Sequence, residues 1–174
     1  MQKFYHTERL ILAALDPSAA PMVLDYLVKN REDFEQYEPP KEDSFYTLVR
    51  QEKVLDAEQT LFERGQGVRY YIFDARDPDT IIGNVSFAHI DGPVCIIGYR
   101  IDRDFRRLGI GYESVSLLLS ELLGPDGPDL IEADIYPGNE ASVGFAAKLG
   151  FRPSETAMFM GRELIRYIMF NHNK

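Results

Sequence analysis

The sequence predicts a single α/β domain whose helices pack on a mixed β-sheet. Three observations favour this fold class. Helical patterns come early, a run of strand patterns follows, and the last part of the chain alternates between strand and helix. The 174 residues suit one domain with a full core, and the apolar fraction of 45% is that of a globular protein. No repeat, linker or low-complexity tract divides the chain, so we expect residues 1–174 to form one domain.

Hydrophobic periodicity places seven strands and four helices along the chain. Strand patterns cover Arg9 to Leu15, Val68 to Asp74, Ile81 to Ile90, Val94 to Ile101, Leu130 to Tyr136, Phe151 to Met160 and Leu164 to Phe170. Helical patterns cover Ala19 to Lys29, Ser44 to Arg64, the segment between Gly111 and Gly124, and Glu140 to Leu149. The polar stretch from Asn30 to Asp43 is predicted to be a loop because it contains two consecutive prolines.

Caps and turn residues set the predicted boundaries. Ser18 is a suitable N-cap for the first helix, which has Pro21 in its first turn. The second helix stops at Gly65, and Gly150 fits the C′ position of the last helix. The turn-rich segment RDPDT separates the second and third strands. The third helix has an apolar stripe formed by Tyr112, Val115, Leu118, Leu119 and Leu122.

Composition and charge limit the classes of binding partner that we expect for this protein. The formal net charge of −9 argues against a nucleic-acid partner and is compatible with a cationic acceptor such as an amine. No apolar run approaches the roughly 18–20 residues of a membrane span, and the opening MQKFYHTERL lacks a signal-peptide core. Cys95 is the only cysteine, so we expect no intrachain disulfide and a cytoplasmic location. His6, His89 and His172 lack metal-ligand spacing, so we expect no metal.

A glycine-containing loop between a strand and a helix is the most informative segment. The strand ending at Ile101 leads into Arg106-Arg107-Leu108-Gly109-Ile110-Gly111, and a helical pattern follows at once. Glycines let backbone approach a ligand closely, and the start of the helix directs unpaired N–H groups and a positive dipole end at it. With two arginines in front, the segment predicts an anion site suited to a pyrophosphate.

Three blocks of the sequence resemble the GNAT acyl-CoA N-acyltransferases, in particular the branch of ribosomal-protein N-terminal acetyltransferases. The first block is Thr7-Glu-Arg-Leu-Ile-Leu12. The second is Ile97-Gly-Tyr-Arg-Ile101 with Arg106-x-x-Gly109-x-Gly111. The third runs from Ile131-Glu-Ala133 through Asn139-Glu-Ala-Ser142 to Lys148-Leu-Gly-Phe151. The resemblance implies a central, mostly antiparallel sheet of about seven strands with about four helices.

The resemblance also implies roles for individual residues. The N–H groups of Arg107, Leu108, Gly109, Ile110 and Gly111 would hold the pyrophosphate of acetyl-CoA, with charge added by Arg106 or Arg107. Ile101 would pair its main chain with the pantetheine arm, between the strands Val94 to Ile101 and Leu130 to Tyr136. Asn139 would contact the pantetheine or the acceptor, and Ser142 would lie near the thioester sulfur as a candidate general acid.

Some of these residues also have a purely structural interpretation. Asn139 and Ser142 are both strong helix caps, and the two arginines also suit a solvated turn. Three positions depart from the family pattern: Ala146 replaces a tyrosine acid, Ile96 a possible glutamate base, and Ala13 an arginine. Cys95 has no partner motif for a nucleophile, which suggests a packed strand residue. The remaining candidate bases are Glu113, Glu132 and His89, and Glu113 also suits the start of a helix dipole.

The resulting hypothesis is an N-acetyltransferase that moves acetyl from acetyl-CoA to a primary amine, by direct attack in a ternary complex. Deprotonating a lysine-like amine at pH 7 costs about 4–5 kcal/mol, but an α-amino group costs only about 1 kcal/mol. The lack of an obvious base therefore favours the N-terminus of a protein or peptide as the acceptor. Two alternatives remain: a polyamine, amino acid or aminoglycoside acceptor selected by the acidic region Asn30 to Gly67, and a non-catalytic CoA-binding regulator. Monomer and homodimer are both compatible with the sequence.

Overall fold

The computed structural model describes residues 1–174, and its centre is one eight-stranded sheet. The spatial order is β1-β2-β3-β4-β5-β6-β8-β7. The strands are β1 Phe4–His6, β2 Leu10–Ala13, β3 Gly67–Asp74, β4 Asp77–Ala88, β5 Val94–Ile101, β6 Leu130–Ile135, β7 Arg152–Phe159 and β8 Arg162–Phe170. Only β5 and β6 run parallel. The predicted mixed, mostly antiparallel sheet is confirmed, with eight strands rather than seven.

Five α-helices accompany the sheet, one more than predicted. They are α1 Ala20–Lys29, α2 Arg31–Phe34, α3 Leu48–Glu63, α4 Ile110–Leu122 and α5 Glu140–Leu149. Short 3₁₀ turns form at Pro17–Ala19, Asp43–Phe45 and Arg103–Phe105. No helix is both long and apolar enough to cross a bilayer.

The N-terminal strand and the first helix cap differ from the prediction. The predicted strand Arg9 to Leu15 is shorter, and β1 precedes it and pairs with it as a hairpin. Ser18 does not cap α1. The carboxylate of Asp16 instead accepts the Ser18 N–H at 2.9 Å and caps the 3₁₀ turn before α1. An aspartate can make this local bond two residues ahead, so it competes directly with a serine cap.

The predicted loop from Asn30 to Asp43 contains the short helix α2. Phe34 anchors it, because this ring is buried against Tyr26 with ring centroids 5.6 Å apart. The helix predicted to start at Ser44 starts at Leu48 instead. A 3₁₀ turn takes up the intervening residues, and the Thr47 hydroxyl donates to the carbonyl oxygen of Ser44 at 2.9 Å.

Two hairpin turns account for the remaining boundary differences. The chain reverses at 75–76, where the Asp74 carboxylate accepts from the N–H and the guanidinium of Arg76, so β4 starts four residues earlier than predicted. Met160 and Gly161 both take positive φ values, 49° and 77°, and so make a tight turn that starts β8 at Arg162. Gly150 ends α5 in the left-handed conformation (φ 98°), which confirms its predicted role.

The helices form a layer on each face of the sheet. Ten buried residues, among them Leu55 of α3 and Tyr71 of β3, form the core beneath α1 and α3. A larger core of 23 buried residues lies beneath α4 and includes Cys95, which is packed as expected. Four members of the predicted apolar stripe of α4 are buried, and the exception, Tyr112, is 41% exposed. Each buried leucine of this kind stabilises the fold by roughly 1.5–3 kcal/mol.

Candidate active site

The parallel strands β5 and β6 separate part-way along their length. They pair over three residues only, ending at Ile96 opposite Glu132, although β5 continues to Ile101 and β6 to Ile135. Beyond that pair, the facing edges share no hydrogen bonds. A wedge-shaped gap therefore opens inside the sheet, with exposed main-chain groups along its walls.

The hydrogen-bond alternation of β5 shows which groups face this gap. The Asp102 N–H donates to Ile82 of β4 at 3.0 Å. Because bonding alternates along an antiparallel pair, the main-chain groups of Tyr99 and Ile101 point the other way, into the gap. The carbonyl oxygen of Ile101 accepts a bond from Arg106 Nε at 3.3 Å. The gap thus presents peptide groups to an extended chain of amides such as pantetheine.

A buried aspartate fixes the chain between β5 and the glycine loop. Asp102 accepts from the Asn30 amide at 3.0 Å and pairs with Lys29 at 2.8 Å. It also accepts the Asp104 N–H at 2.9 Å. Burial alone would raise its pKa, but the bonds from Lys29 and Asn30 lower the pKa of Asp102 overall. The loop that follows therefore starts from a rigid point tied to α1.

The glycine loop has the geometry of an anion site. Gly109 is the N-cap of α4 with a φ of 81°, a conformation that favours glycine. The first helical bond runs from the Glu113 N–H to Gly109 at 3.0 Å, so the N–H groups of Ile110, Gly111 and Tyr112 have no helical partner. A Cβ on Gly111 would contact the Ile101 side chain at 3.4 Å and the ring of Phe145 at 3.5 Å.

The two arginines that were predicted to contact the phosphate differ in whether they are ion-paired. Arg106 forms a two-pronged ion pair with Asp33, in which Nη1 is 3.1 Å from Oδ1. Arg107 is exposed, with a φ of 60°, and is the one available to an incoming phosphate. Arg9, which sequence reasoning missed, donates to the Leu108 carbonyl at 3.3 Å. The signal for it was its place in the first family block.

The candidate bases lie apart from the gap or are otherwise engaged. Glu113 accepts from the Thr7 hydroxyl and from Arg9 Nε at 2.9 Å. Burial opposes the effect, but these bonds lower the pKa of Glu113 overall, so it remains a carboxylate clamping α4 to the N-terminal hairpin. Glu132 is ion-paired with Arg166 at 3.2 Å. His89 is exposed beyond the end of β4 that is remote from Ile101.

Asn139 and Ser142 meet at the start of α5, beside the gap. The side-chain oxygen of Asn139 caps the helix by accepting the Ser142 N–H at 3.1 Å, so Asn139 does have the predicted capping role. Ser142 is not the cap. Its hydroxyl lies 2.9 Å from the Tyr99 hydroxyl, and the Tyr99 ring packs edge-on against Phe145 with centroids 4.7 Å apart.

Tyr99 is the second functional candidate that sequence reasoning missed. Ala146, at the usual tyrosine position, is fully buried, and Tyr99 brings a phenol to Ser142 from the neighbouring strand instead. Burial raises the pKa of Tyr99, partly offset by the bond to Ser142, so the phenol keeps its proton at neutral pH. When two hydroxyl groups are in contact, one can give its proton to a leaving group and then receive a proton from the other.

Other reactive chemistry has little support at this site. Burial raises the pKa of the Cys95 thiol to about 12, so it is a poor nucleophile. No group of three or more His, Cys, Asp or Glu side chains is arranged to hold a metal ion.

The fold and the glycine loop define an acyl-CoA-dependent acetyltransferase. The acetyltransferase (GNAT) domain model matches residues 9–152, and the chain belongs to this family. A probable N-acetyltransferase of Bacillus subtilis, YjcK, is 33% identical over 126 residues, which cover 71% of this chain and 69% of the relative. The ribosomal protein uS5-alanine N-acetyltransferase of Escherichia coli is 24% identical over 148 residues, covering 83% and 76% of the two chains.

Solved structures share the whole fold. The ribosomal-protein-S5-alanine acetyltransferase of Vibrio fischeri superposes with a TM-score of 0.89 at 21% identity, covering 99% of this chain and 98% of its own. A ribosomal L7/L12 α-N-protein acetyltransferase in complex with coenzyme A gives a TM-score of 0.84 at 22% identity, covering 97% of both chains. The predicted family is confirmed, and this chain is an enzyme rather than a non-catalytic regulator.

Proposed function

We propose that this enzyme acetylates the N-terminal α-amino group of a protein or peptide, with acetyl-CoA as donor. The observation that carries the proposal is the wedge between β5 and β6, with the Ser142–Tyr99 hydroxyl pair beside it and the glycine loop near its end. The relatives named for ribosomal-protein alanine acetylation support the choice of acceptor.

The residues fit two parts of the donor. The N–H groups from Arg107 to Gly111, with Arg107 itself, suit a pyrophosphate, because they offer donors without partners at a helix start. The gap-facing peptide groups of Tyr99 and Ile101 suit the amides of pantetheine. Bound there, acetyl-CoA supplies the acetyl group as an activated thioester.

The chain positions the reactants and supplies and replaces the proton that the leaving group needs. The neutral amine attacks the acetyl carbon, a C–N bond forms, and the C–S bond breaks. Ser142 donates a proton to the departing sulfur and recovers one from Tyr99, which in turn takes up a proton from solvent as the amine releases its own proton there. The enzyme thus contributes orientation and charge stabilisation without a covalent intermediate.

Ion pairs take up part of the negative charge in the predicted acceptor region. Four of its acidic side chains are already ion-paired with arginines: Asp33, Glu35, Glu38 and Asp43. These pairs lower the charge that the four carboxylates offer to a polycation, while Glu32 and Glu42 of the same region are exposed and form no ion pair. Because Glu113 and Glu132 are engaged and His89 is remote, an acceptor that deprotonates at low cost is favoured.

The pH dependence of kcat/KM tests the proposal. With an alanine-led peptide, kcat/KM should rise with pH and level off near the pKa of the free α-amine, about 8. With spermidine the rise should continue to about pH 9 or beyond, from a lower kcat/KM at pH 7. A higher kcat/KM for spermidine at pH 7 would overturn the proposed acceptor. A plateau already at about pH 6.5 for both acceptors would reveal an enzyme base and overturn the proton-release step.

A further inference from the structure

A bridge of side chains crosses the gap on the face opposite Ser142. Ile131, Ala133 and Ile135 of β6 point into the core beneath α4, so Asp134 and Tyr136 point to the other face. On that face Arg100 of β5 is held by both carboxylate oxygens of Glu38.

The bridge reaches the other wall of the gap through Arg162. Arg162 of β8 donates to the Glu38 carbonyl at 3.5 Å and lies over the Tyr136 ring, with its Cζ atom 4.1 Å from the ring centroid. Arg100, Glu38, Arg162 and Tyr136 thus form a roof from β5 to β6.

The Tyr136 hydroxyl has no hydrogen-bond partner. Its oxygen is buried and makes no hydrogen bond. Buried polar atoms of side chains nearly always have a partner, because leaving one unpaired destabilises the fold. The ring is fixed by Arg162 above it and by its own main chain, which accepts the Asn139 N–H at 2.9 Å. Tyr136 follows the last residue of β6, beside the part of the gap that no hydrogen bonds bridge, so its unpaired donor can meet a ligand atom when the exposed Arg162 side chain shifts to admit it.

The chemistry of Tyr136 and Arg162 indicates which kind of ligand atom they would bind. A guanidinium only donates hydrogen bonds, and a neutral phenol has one hydrogen to donate. No carboxylate lies within 4.0 Å of the Arg162 guanidinium, so its charge is not neutralised. Two donors, one of them cationic, match an oxygen acceptor and disfavour an ammonium group.

We propose that Tyr136 and Arg162 bind the carbonyl oxygen next to the acceptor's amine, so that the enzyme selects α-amino carbonyl compounds over simple amines. This inference rests on the proposed function and deepens it, since a peptide N-terminus has this oxygen and a polyamine does not. The free carboxylate of an amino acid shares the chemistry, and the test separates the two.

The experiment compares four acceptors in the intact enzyme: an alanine-led tetrapeptide, free alanine, 2-aminobutane and spermidine. The variants are Tyr136→Phe, which removes one oxygen, and Arg162→Gln, with Arg152→Gln as a matched exposed control on β7. We expect Tyr136→Phe and Arg162→Gln to lower kcat/KM for the tetrapeptide about tenfold or more. For 2-aminobutane we expect changes below about twofold, because no oxygen is lost from its complex. Thermal unfolding checks that each variant is folded.

The outcomes separate the two proposals. Equal losses for the tetrapeptide and 2-aminobutane, or no loss for the tetrapeptide in Tyr136→Phe, would overturn the assignment of Tyr136 and Arg162. Wild-type preference for free alanine, with the same variant losses, would uphold oxygen recognition and overturn the protein acceptor. Wild-type preference for spermidine would overturn the proposed function, whatever the variants do.

Discussion

Replacing Ser142 by alanine removes a single oxygen from the start of α5. The Asn139 cap persists, because it is bound to the main-chain N–H of residue 142. The Tyr99 hydroxyl loses its 2.9 Å partner but keeps a 3.4 Å contact with the main-chain oxygen of the same residue. One replaceable neutral hydrogen bond contributes about 1 kcal/mol, so we expect the free energy of unfolding to fall by no more than that.

The effect on catalysis should be much larger. A positioned general acid contributes about 10²–10⁴-fold, so kcat should fall at least about 100-fold. KM should stay within about twofold, because the lost interaction acts mainly in the transition state. Initial rates of free-thiol release give both constants, and thermal unfolding gives stability. Ser120→Ala is the matched control, since that α4 serine is exposed and bonds only to the Leu117 carbonyl.

The companion variant Tyr99→Phe tests the relay. If Tyr99 replaces the proton given up by Ser142, each single variant removes the same route, and the double variant should be little slower than Ser142→Ala alone. A Ser142→Ala enzyme that keeps kcat within threefold of wild type, yet is about 1 kcal/mol less stable, would refute the acid assignment and leave a structural hydroxyl.

Three further outcomes follow from local geometry. Gly109→Glu should abolish coenzyme A binding in calorimetry, since φ 81° disfavours a side chain and its carboxylate repels a phosphate, whereas Gly124→Ala, which has open space around it, should bind normally. Glu113→Gln should lower the free energy of unfolding by about 1–3 kcal/mol at pH 7. Because folding lowers the pKa of Glu113, its contribution is present above the unfolded pKa of about 4.3, so the difference from wild type should shrink as the pH falls toward 3 in chemical unfolding. Cys95, buried and with a pKa of about 12, should react with a thiol reagent only after unfolding, and labelling of the native enzyme would contradict its burial.

Several features were predictable because their causes lie within a few residues. Strand alternation, the helical stripe of α4 and the glycines at 109 and 111 each depend on local periodicity or on one residue's conformational freedom. The order of these elements indicated the sheet, and the resemblance of three sequence blocks indicated the family. Predicted boundaries were wrong where another side chain made the capping hydrogen bond. Asp16, for example, caps the 3₁₀ turn that precedes α1.

The partners of the site's side chains depend on the tertiary structure. Arg106 has the same local pattern whether it meets a phosphate or Asp33, which lies 73 residues away in the sequence. Ser142 differs from a helix cap only because β5 places Tyr99 against it, across 43 residues. The Tyr136 hydroxyl is buried without a partner, and Arg162, 26 residues further along the chain, covers its ring. Such contacts require strands and helices to be packed in a particular order. The sequence by itself therefore determined the glycine loop between a strand and a helix and the resemblance to the family, and only the packed fold decided which side chains are paired and which are not.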